Sequence, residues 1–191
     1  MGKNKVKFNY PPFVMPVSLV GANILGKPNF EAIAWFNLMD YQPNLVGVSS
    51  DKSHFTNSGI RENKTFSVNM PSACMAAATD FCGLYSGSKV EKSKVFDVFY
   101  GELKTAPMIS ECPVNIECRL SQTLELLHCE VFIGEIVGVY MEDRYLTNNK
   151  PDIRKIDPLL FEGTLGSYWN VGEQIARAFG IGKDYKLKQS K

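Results

Sequence analysis

Val114-Asn115-Ile116-Glu117-Cys118-Arg119-Leu120-Ser121 alternates strictly, with Val114, Ile116, Cys118 and Leu120 on one side and Asn115, Glu117, Arg119 and Ser121 on the other. A period of two marks a strand with one apolar face. A tight turn near Leu127-His128 follows. Cys129 to Tyr140 then runs as a long apolar strand, so the region reads as a β-hairpin. Upstream, Val17 to Asn23 is strand-like, Leu25-Gly26-Lys27-Pro28-Asn29 forms its turn, and Phe30 to Asn37 is the returning strand. Leu45 to Ser49, after Pro43, reads as a short buried strand; His54 to Glu62 as a short helix; Thr65 to Asn69 as a strand stopped by Pro71. Ser72 stands where an N-cap would open an alanine-rich helix to about Cys82, closed by Gly83. Val171 to Phe179 reads as a short C-terminal helix. Many hairpin turns and few helices predict a mainly β fold, a closed or partly closed antiparallel barrel. Strands do not alternate regularly with helices, which disfavours a doubly wound parallel sheet.

The chain of 191 residues suits one domain with short N-terminal and C-terminal extensions. Its 45% hydrophobic and 21% charged residues are ordinary for a globular protein. Twenty-one basic against 20 acidic residues leave a net charge of +1, so no electrostatic excess directs it to nucleic acid or acidic membranes. The five cysteines are odd in number and show no CxxC spacing, which points to reduced thiols and a cytoplasmic protein. With two histidines, His54 and His128, there is little material for a zinc site or a Ser-His-Asp hydrolase. Phe8 to Gly26 is uncharged and follows three lysines, but Pro11, Pro12 and Pro16 would break the helix of a signal peptide. A soluble, intracellular protein is expected.

No P-loop, strand-linked GxGxxG, HExxH or GxSxG is present, which leaves an NTPase or a Rossmann nicotinamide site unsupported. The informative stretch is Val48-Ser49-Ser50-Asp51-Lys52-Ser53-His54-Phe55-Thr56, joining a buried strand to a short helix. Alone it reads as a solvated turn with Ser53 as N-cap. Backbone N–H groups at a helix start, several hydroxyls and a lysine also suit a phosphate monoester.

The neighbours of this stretch extend the pattern. Ala34-Trp35-Phe36-Asn37 precedes it, and Thr65-Phe66-Ser67-Val68-Asn69-Met70-Pro71 follows. Then come Asp80-Phe81-Cys82-Gly83, Ser86-Gly87, Pro107-Met108-Ile109, Glu111-Cys112-Pro113 and Glu117-Cys118. In order and spacing this series resembles the flavin reductase-like family, which includes flavoredoxin, from about Pro16 to Tyr168. The resemblance implies an FMN-binding split β-barrel of Greek-key type that works as a homodimer, with the flavin near the subunit interface. It places Ala34, Trp35, Phe36 and Asn37 along the flavin, largely through main chain. The loop with Ser49, Ser50, Lys52, Ser53, His54 and Thr56 would hold the ribityl chain and phosphate. Asn69, Met70 and Pro71, and Cys82, Gly83, Ser86 and Gly87, would lie near the ring or ribityl chain, and Lys92 near the phosphate. Tyr168, with Trp169, would either pack on the barrel or close over a ligand. The family often has Arg or Lys where His54 stands, so a neutral His54 would weaken the phosphate contact.

The resemblance further implies an oxidoreductase in which NADH or NADPH, or a redox partner protein, supplies electrons to FMN. No side chain need act as acid or base. The alternative is a non-catalytic FMN-binding electron carrier, and a third reading is a barrel that binds no flavin. On their own, Trp35 reads as a core aromatic, Cys82 as a small buried hydrophobe and His128 as a solvated turn residue. Glu117 falls on the polar face of its strand, apart from Glu111.

Overall fold

The computed structural model describes residues 2–183 and residue 185. Its strands are β1 (Val14–Pro16), β2 (Ser18–Ile24), β3 (Lys27–Ile33), β4 (Phe36–Tyr41), β5 (Asn44–Asp51), β6 (Thr65–Met70) and β7 (Val98–Phe99). They continue with β8 (Met108–Ile109), β9 (Val114–Glu125), β10 (Cys129–Tyr140), β11 (Leu146–Thr147), β12 (Lys150–Pro151), β13 (Leu160–Glu162) and β14 (Ser167–Trp169). The α-helices are α1 (Thr56–Asn63), α2 (Ala76–Leu84) and α3 (Ile153–Ile156). No helix among the described residues is long and apolar enough to cross a membrane.

The hairpin read from the sequence is β9 and β10, and it forms the middle of a seven-stranded antiparallel sheet in the order β3-β2-β6-β9-β10-β5-β4. Consecutive strands β3 and β4 therefore stand at opposite ends of the sheet, yet only Ala34 and Trp35 join them. Three Cα steps span at most about 10–11 Å. The sheet must curl until its two ends nearly meet, which makes it a barrel split along one seam. Register shifts at Ile133/Gly134 and Ile136/Gly138 mark a bulge at Ser121 in β9 and another at Val137 in β10, which bend the hairpin into this curve. Gly134 is required there, because a Cβ would lie 2.6 Å from the Phe66 ring.

Two apolar clusters lie on either side of β2. Val20, Ala22, Val46, Val48, Ile60, Phe66, Val68, Cys118 and Phe132 fill the barrel, with α1 contributing Ile60. Leu19, Phe30, Cys82, Phe96, Ile109 and Cys112 pack beneath α2 and the segment that carries β7 and β8. Burial on both faces explains why β2 reads as a continuous run rather than an alternating one.

Several local expectations need correction. The strand expected over Phe30 to Asn37 ends at Ile33 and restarts at Phe36, because the chain must cross the seam between them. Ser72 makes no capping bond; the Ala73 N–H goes instead to the Asp157 carbonyl at 2.7 Å, and a 3₁₀ turn leads into α2. Gly83 lies inside α2, which runs on to Leu84. The polar face of β9 is not solvated at Asn115 and Glu117, both buried. The Glu117 carboxylate accepts the N–H groups of Glu102 (3.1 Å) and Leu103 (2.6 Å) and the Tyr140 hydroxyl (3.0 Å), pinning the loop before β8 across the strand. Residues 171–177 are not helical, and 178–180 form turns. Ile175 and Phe179 lie exposed, packed on no other described residue, and a short helix without tertiary packing is marginal.

Candidate functional site

Two clefts meet at the seam. The first, of about 240 Å³, lies between the start of α1 and the end of α2. It is lined by Glu31 and Ala32 of β3, Ser53 to Thr56, Cys82 to Gly87, and Lys92. Its donors are set by what they already hold. Asp51 accepts the Ser53 hydroxyl at 2.6 Å and the Ser53 N–H at 2.8 Å, and these bonds hold the Asp51 carboxyl below its usual range. The Thr56 hydroxyl accepts from Asn29 Nδ2 at 2.7 Å, which leaves its own proton to give. The N–H groups of Phe55 and Thr56, at the opening of α1, bond to no acceptor among the described residues, as expected at a helix start. The buried Lys92 ammonium donates one hydrogen bond, to the Cys82 carbonyl at 2.7 Å, and has two further protons. Burial lowers its pKa, while the Glu31 carboxylate works in the other direction. Gly87 lets this cleft form: a Cβ would sit 1.9 Å from Asn29 Oδ1.

His54 stands where the two clefts join. Its Nδ1 is 2.9 Å from Glu31 Oε2 and 3.2 Å from Ser50 Oγ. The bond to Glu31 raises the His54 pKa above its ordinary value against the opposing effect of burial. The neutral histidine anticipated from the sequence is thus biased toward the cation. Behind it, buried Ser50 is 3.1 Å from Glu31 Oε1 and 2.7 Å from Asn57 Oδ1. Asn57 Nδ2 donates to the Asp51 carbonyl at 2.8 Å and to Glu130 at 3.1 Å, and Arg61 pairs with the same Glu130 carboxylate.

The second cleft, about 540 Å³, is mainly apolar and runs along Ala32 to Trp35, with Ser49, Met15, Phe161, His128 and Cys129. Trp35 is 45% exposed rather than core, and packs edge-to-face on Tyr10 at 5.9 Å. The seam crossing turns it outward. The Ser49 N–H donates to the Trp35 carbonyl at 2.8 Å, which fixes the crossing. Phe36 and Asn37 line a shallower surface beyond Trp35, with Ala34 and Ser49.

Ser53, His54, Thr56, Cys82, Gly83, Ser86, Gly87 and Lys92 thus come together around the first cleft, and Ala34, Trp35, Ser49 and His54 around the second. Lys52 lines neither: it pairs with Glu125 at 2.8 Å at the end of the β9–β10 hairpin. Ser50 lies buried behind His54. Asn69, Met70 and Pro71 also line neither cleft. Asn69 is buried between the Leu19 carbonyl (2.8 Å), the Ile109 N–H (3.1 Å) and Asn115 (2.8 Å). The Tyr168 hydroxyl donates to Asp80 at 3.0 Å and so ties β14 to α2; burial and Asp80 push its phenol up to about 12. Sequence reasoning missed Glu31, Asn29 and Asn57. Glu31 did carry a signal, as the only charged residue between Pro28 and Met39.

The flavin reductase like domain matches residues 10–164. The structure of flavoredoxin from Methanosarcina acetivorans is 49% identical and superposes with a TM-score of 0.93 over 96% of this chain and 98% of that one. Flavoredoxin of Desulfovibrio vulgaris (Miyazaki F) is 33% identical, with a TM-score of 0.85 over 96% of this chain and 100% of its own. At 22% identity, an FMN-binding protein from Thermus thermophilus shares the fold, with a TM-score of 0.79 over 93% and 99% of the two chains. With most of its length matched by one domain family and its split barrel shared along nearly its whole chain, the protein belongs to the flavin reductase-like family.

Proposed function

We propose that the chain is an FMN-dependent oxidoreductase that takes electrons from NADH or NADPH, or from a protein donor, and passes them on through the flavin. One observation carries the choice of FMN. The first cleft presents donors without acceptors among the described residues: the Phe55 and Thr56 N–H groups, the Thr56 hydroxyl and two protons of Lys92. A terminal phosphate satisfies such a set, since helix-start amides and an ammonium both favour an anion. Thr56, Lys92 and His54 would hold that phosphate, and the main chain from Ala32 to Trp35 would flank the ring in the apolar second cleft. When bound, the flavin supplies the redox chemistry, while the protein supplies placement and electrostatics. Apolar groups such as Met15 and Phe161 line the second cleft.

Titration of the flavin-free protein with FMN, FAD and riboflavin tests this, and FMN should bind tightest. Equal affinity for riboflavin would remove the phosphate site. Anaerobic addition of NADH or NADPH should then bleach the flavin. A flavin that binds but stays oxidised with both would instead identify a non-catalytic electron carrier. A homodimer forms part of this proposal. Strand β4 is a sheet edge whose Leu38 and Tyr41 are 67% and 84% exposed, beside exposed Trp35 and Met39. A second copy covering this edge would bury them. Light scattering that gave a mass near 21 kDa at micromolar concentration would contradict it.

A further inference from the structure

We propose that Glu31 is a positioning residue for the anion site: it holds His54 as the second cation of the first cleft, beside Lys92, and so sets the preference for a phosphorylated flavin over an unphosphorylated one. This rests on the flavin reading above and deepens it.

Counting protons along the buried hydrogen bonds leads to this assignment. Asn57 Nδ2 donates to a carbonyl and a carboxylate, both pure acceptors, which fixes the orientation of its amide. Asn57 Oδ1 then needs a donor, and the Ser50 hydroxyl at 2.7 Å supplies its single proton. With that proton committed to the shorter contact, Ser50 Oγ can only accept, and its 3.1 Å approach to Glu31 Oε1 carries no proton. Nδ1 of His54 therefore faces two acceptors, Glu31 Oε2 and Ser50 Oγ, and carries hydrogen whether the ring is charged or neutral. Titration falls on Nε2, which bonds to nothing among the described residues, while the ring stays 42% exposed where the clefts join. A charged ring offers an N–H to a phosphate oxygen there; a neutral ring offers a lone pair, which repels it.

The groups around His54 fix the balance. Glu31 on β3 and Asp51 at the end of β5 favour the cation, and Lys92 opposes it. Cys82 on α2 is uncharged at neutral pH, since burial pushes its thiol up to about 11. His128, Cys129 and Tyr10 share the second cleft with the ring, and Tyr85 the first. Glu130 and Arg61 anchor Asn57 on the far side.

The test follows His54 by NMR together with the affinities for FMN and riboflavin across pH. FMN should raise the His54 midpoint, and riboflavin should leave it in place. By reciprocity, the FMN-to-riboflavin affinity ratio should fall about tenfold, as pH rises, for each unit of that midpoint shift. The second ionisation of the phosphate, near pH 6, strengthens FMN binding as pH rises, and Lys92 loses its charge in a separate step, so the fall that belongs to His54 is the one centred on its NMR midpoints. Glu31→Gln should lower the midpoint and carry the fall to lower pH. His54→Gln, which leaves Glu31 untouched, should abolish the fall, and it keeps the proposal testable if Glu31→Gln does not fold. An unmoved midpoint on FMN binding, or a fall centred on the wild-type His54 midpoints that survives His54→Gln, while FMN still outbinds riboflavin, would overturn the role of the pair and leave the flavin reading intact. Equal binding of FMN and riboflavin, or no binding, would overturn both.

Discussion

Two helical glycines should respond to alanine with opposite signs. Gly59 lies on the buried side of α1, where a Cβ would stand 2.4 Å from the Asn23 carbonyl oxygen and 2.9 Å from Ile24 Cγ1. That oxygen belongs to the β2 backbone and cannot rotate away. Helix α1 would have to lift by about 1 Å to restore ordinary contact distances. Lifting it disturbs fully buried Ile60 and the Asn63 side chain, whose Nδ2 donates to the same Asn23 oxygen at 2.8 Å. Overpacking costs about 1–3 kcal/mol and the hydrogen bond about 1 kcal/mol, offset by about 1 kcal/mol of helix propensity gained over glycine. The net is a loss of about 1–3 kcal/mol, or about 3–10 °C in Tm for a chain of this size. In α2 a Cβ at exposed Gly83 would meet Ala32 Cβ at 3.5 Å, ordinary contact. Propensity then prevails, and Gly83→Ala should raise Tm by about 1–3 °C. The methyl also narrows the first cleft, so flavin affinity should fall while stability rises. Circular dichroism melts of the flavin-free protein, at one fixed concentration, read both. A Gly59→Ala variant that melts at or above the parent would refute the seating of α1 on β2.

Lys92→Met should weaken FMN about tenfold to a hundredfold through lost charged hydrogen bonds, with riboflavin little affected. Lys52→Ala should change either flavin less than twofold, because Lys52 is spent on exposed Glu125; fluorescence titration that ranked the two lysines the other way would move the phosphate out of the first cleft. Cys82→Ser and Cys82→Ala, saturated with FMN, should keep anaerobic flavin reduction within about tenfold, since a thiol raised to about 11 is not a thiolate at neutral pH. A larger loss in both, about 1.4 kcal/mol of barrier or more, would establish thiol chemistry. His54 has a raised pKa in the fold, so its stabilising effect is fully present below its ordinary value of 6.5 and is lost as pH rises through the folded midpoint. Flavin-free Tm should accordingly fall across that window, and Glu31→Gln should flatten the fall.

What could be read from the sequence was local. Strand β9 shows its period of two, β10 is a long, mainly apolar run, and β2 is buried along its whole length and does not alternate because both its faces are covered. The hydroxyl-rich loop before α1 announces itself by composition and by its place ahead of a helix. What could not be read depends on which distant segments meet. Nothing in Ala34-Trp35, neither glycine nor proline, marks the break between β3 and β4; the chain leaves the strand there because the sheet closes on itself. Lys52 lies beside the hydroxyls in sequence, yet β5 directs it to Glu125, while Lys92 reaches the cleft from beyond α2.

Glu31 stands between these cases. A lone carboxylate in an apolar strand is retained in a barrel only if something pairs it, because an unpaired buried charge is too costly. Glu130, nearly alone in the apolar run of β10, poses the same demand. Their partners, His54 and Arg61, lie seven residues apart, His54 two residues ahead of α1 and Arg61 within it. Asn57, between them, bridges the two halves through Ser50 and Glu130. Two isolated acids and two basic groups seven residues apart were all visible in the sequence. Matching them required knowing that α1 docks where the ends of β3 and β10 converge, and the seam crossing at Ala34-Trp35, which carries no local mark, is what brings those ends together.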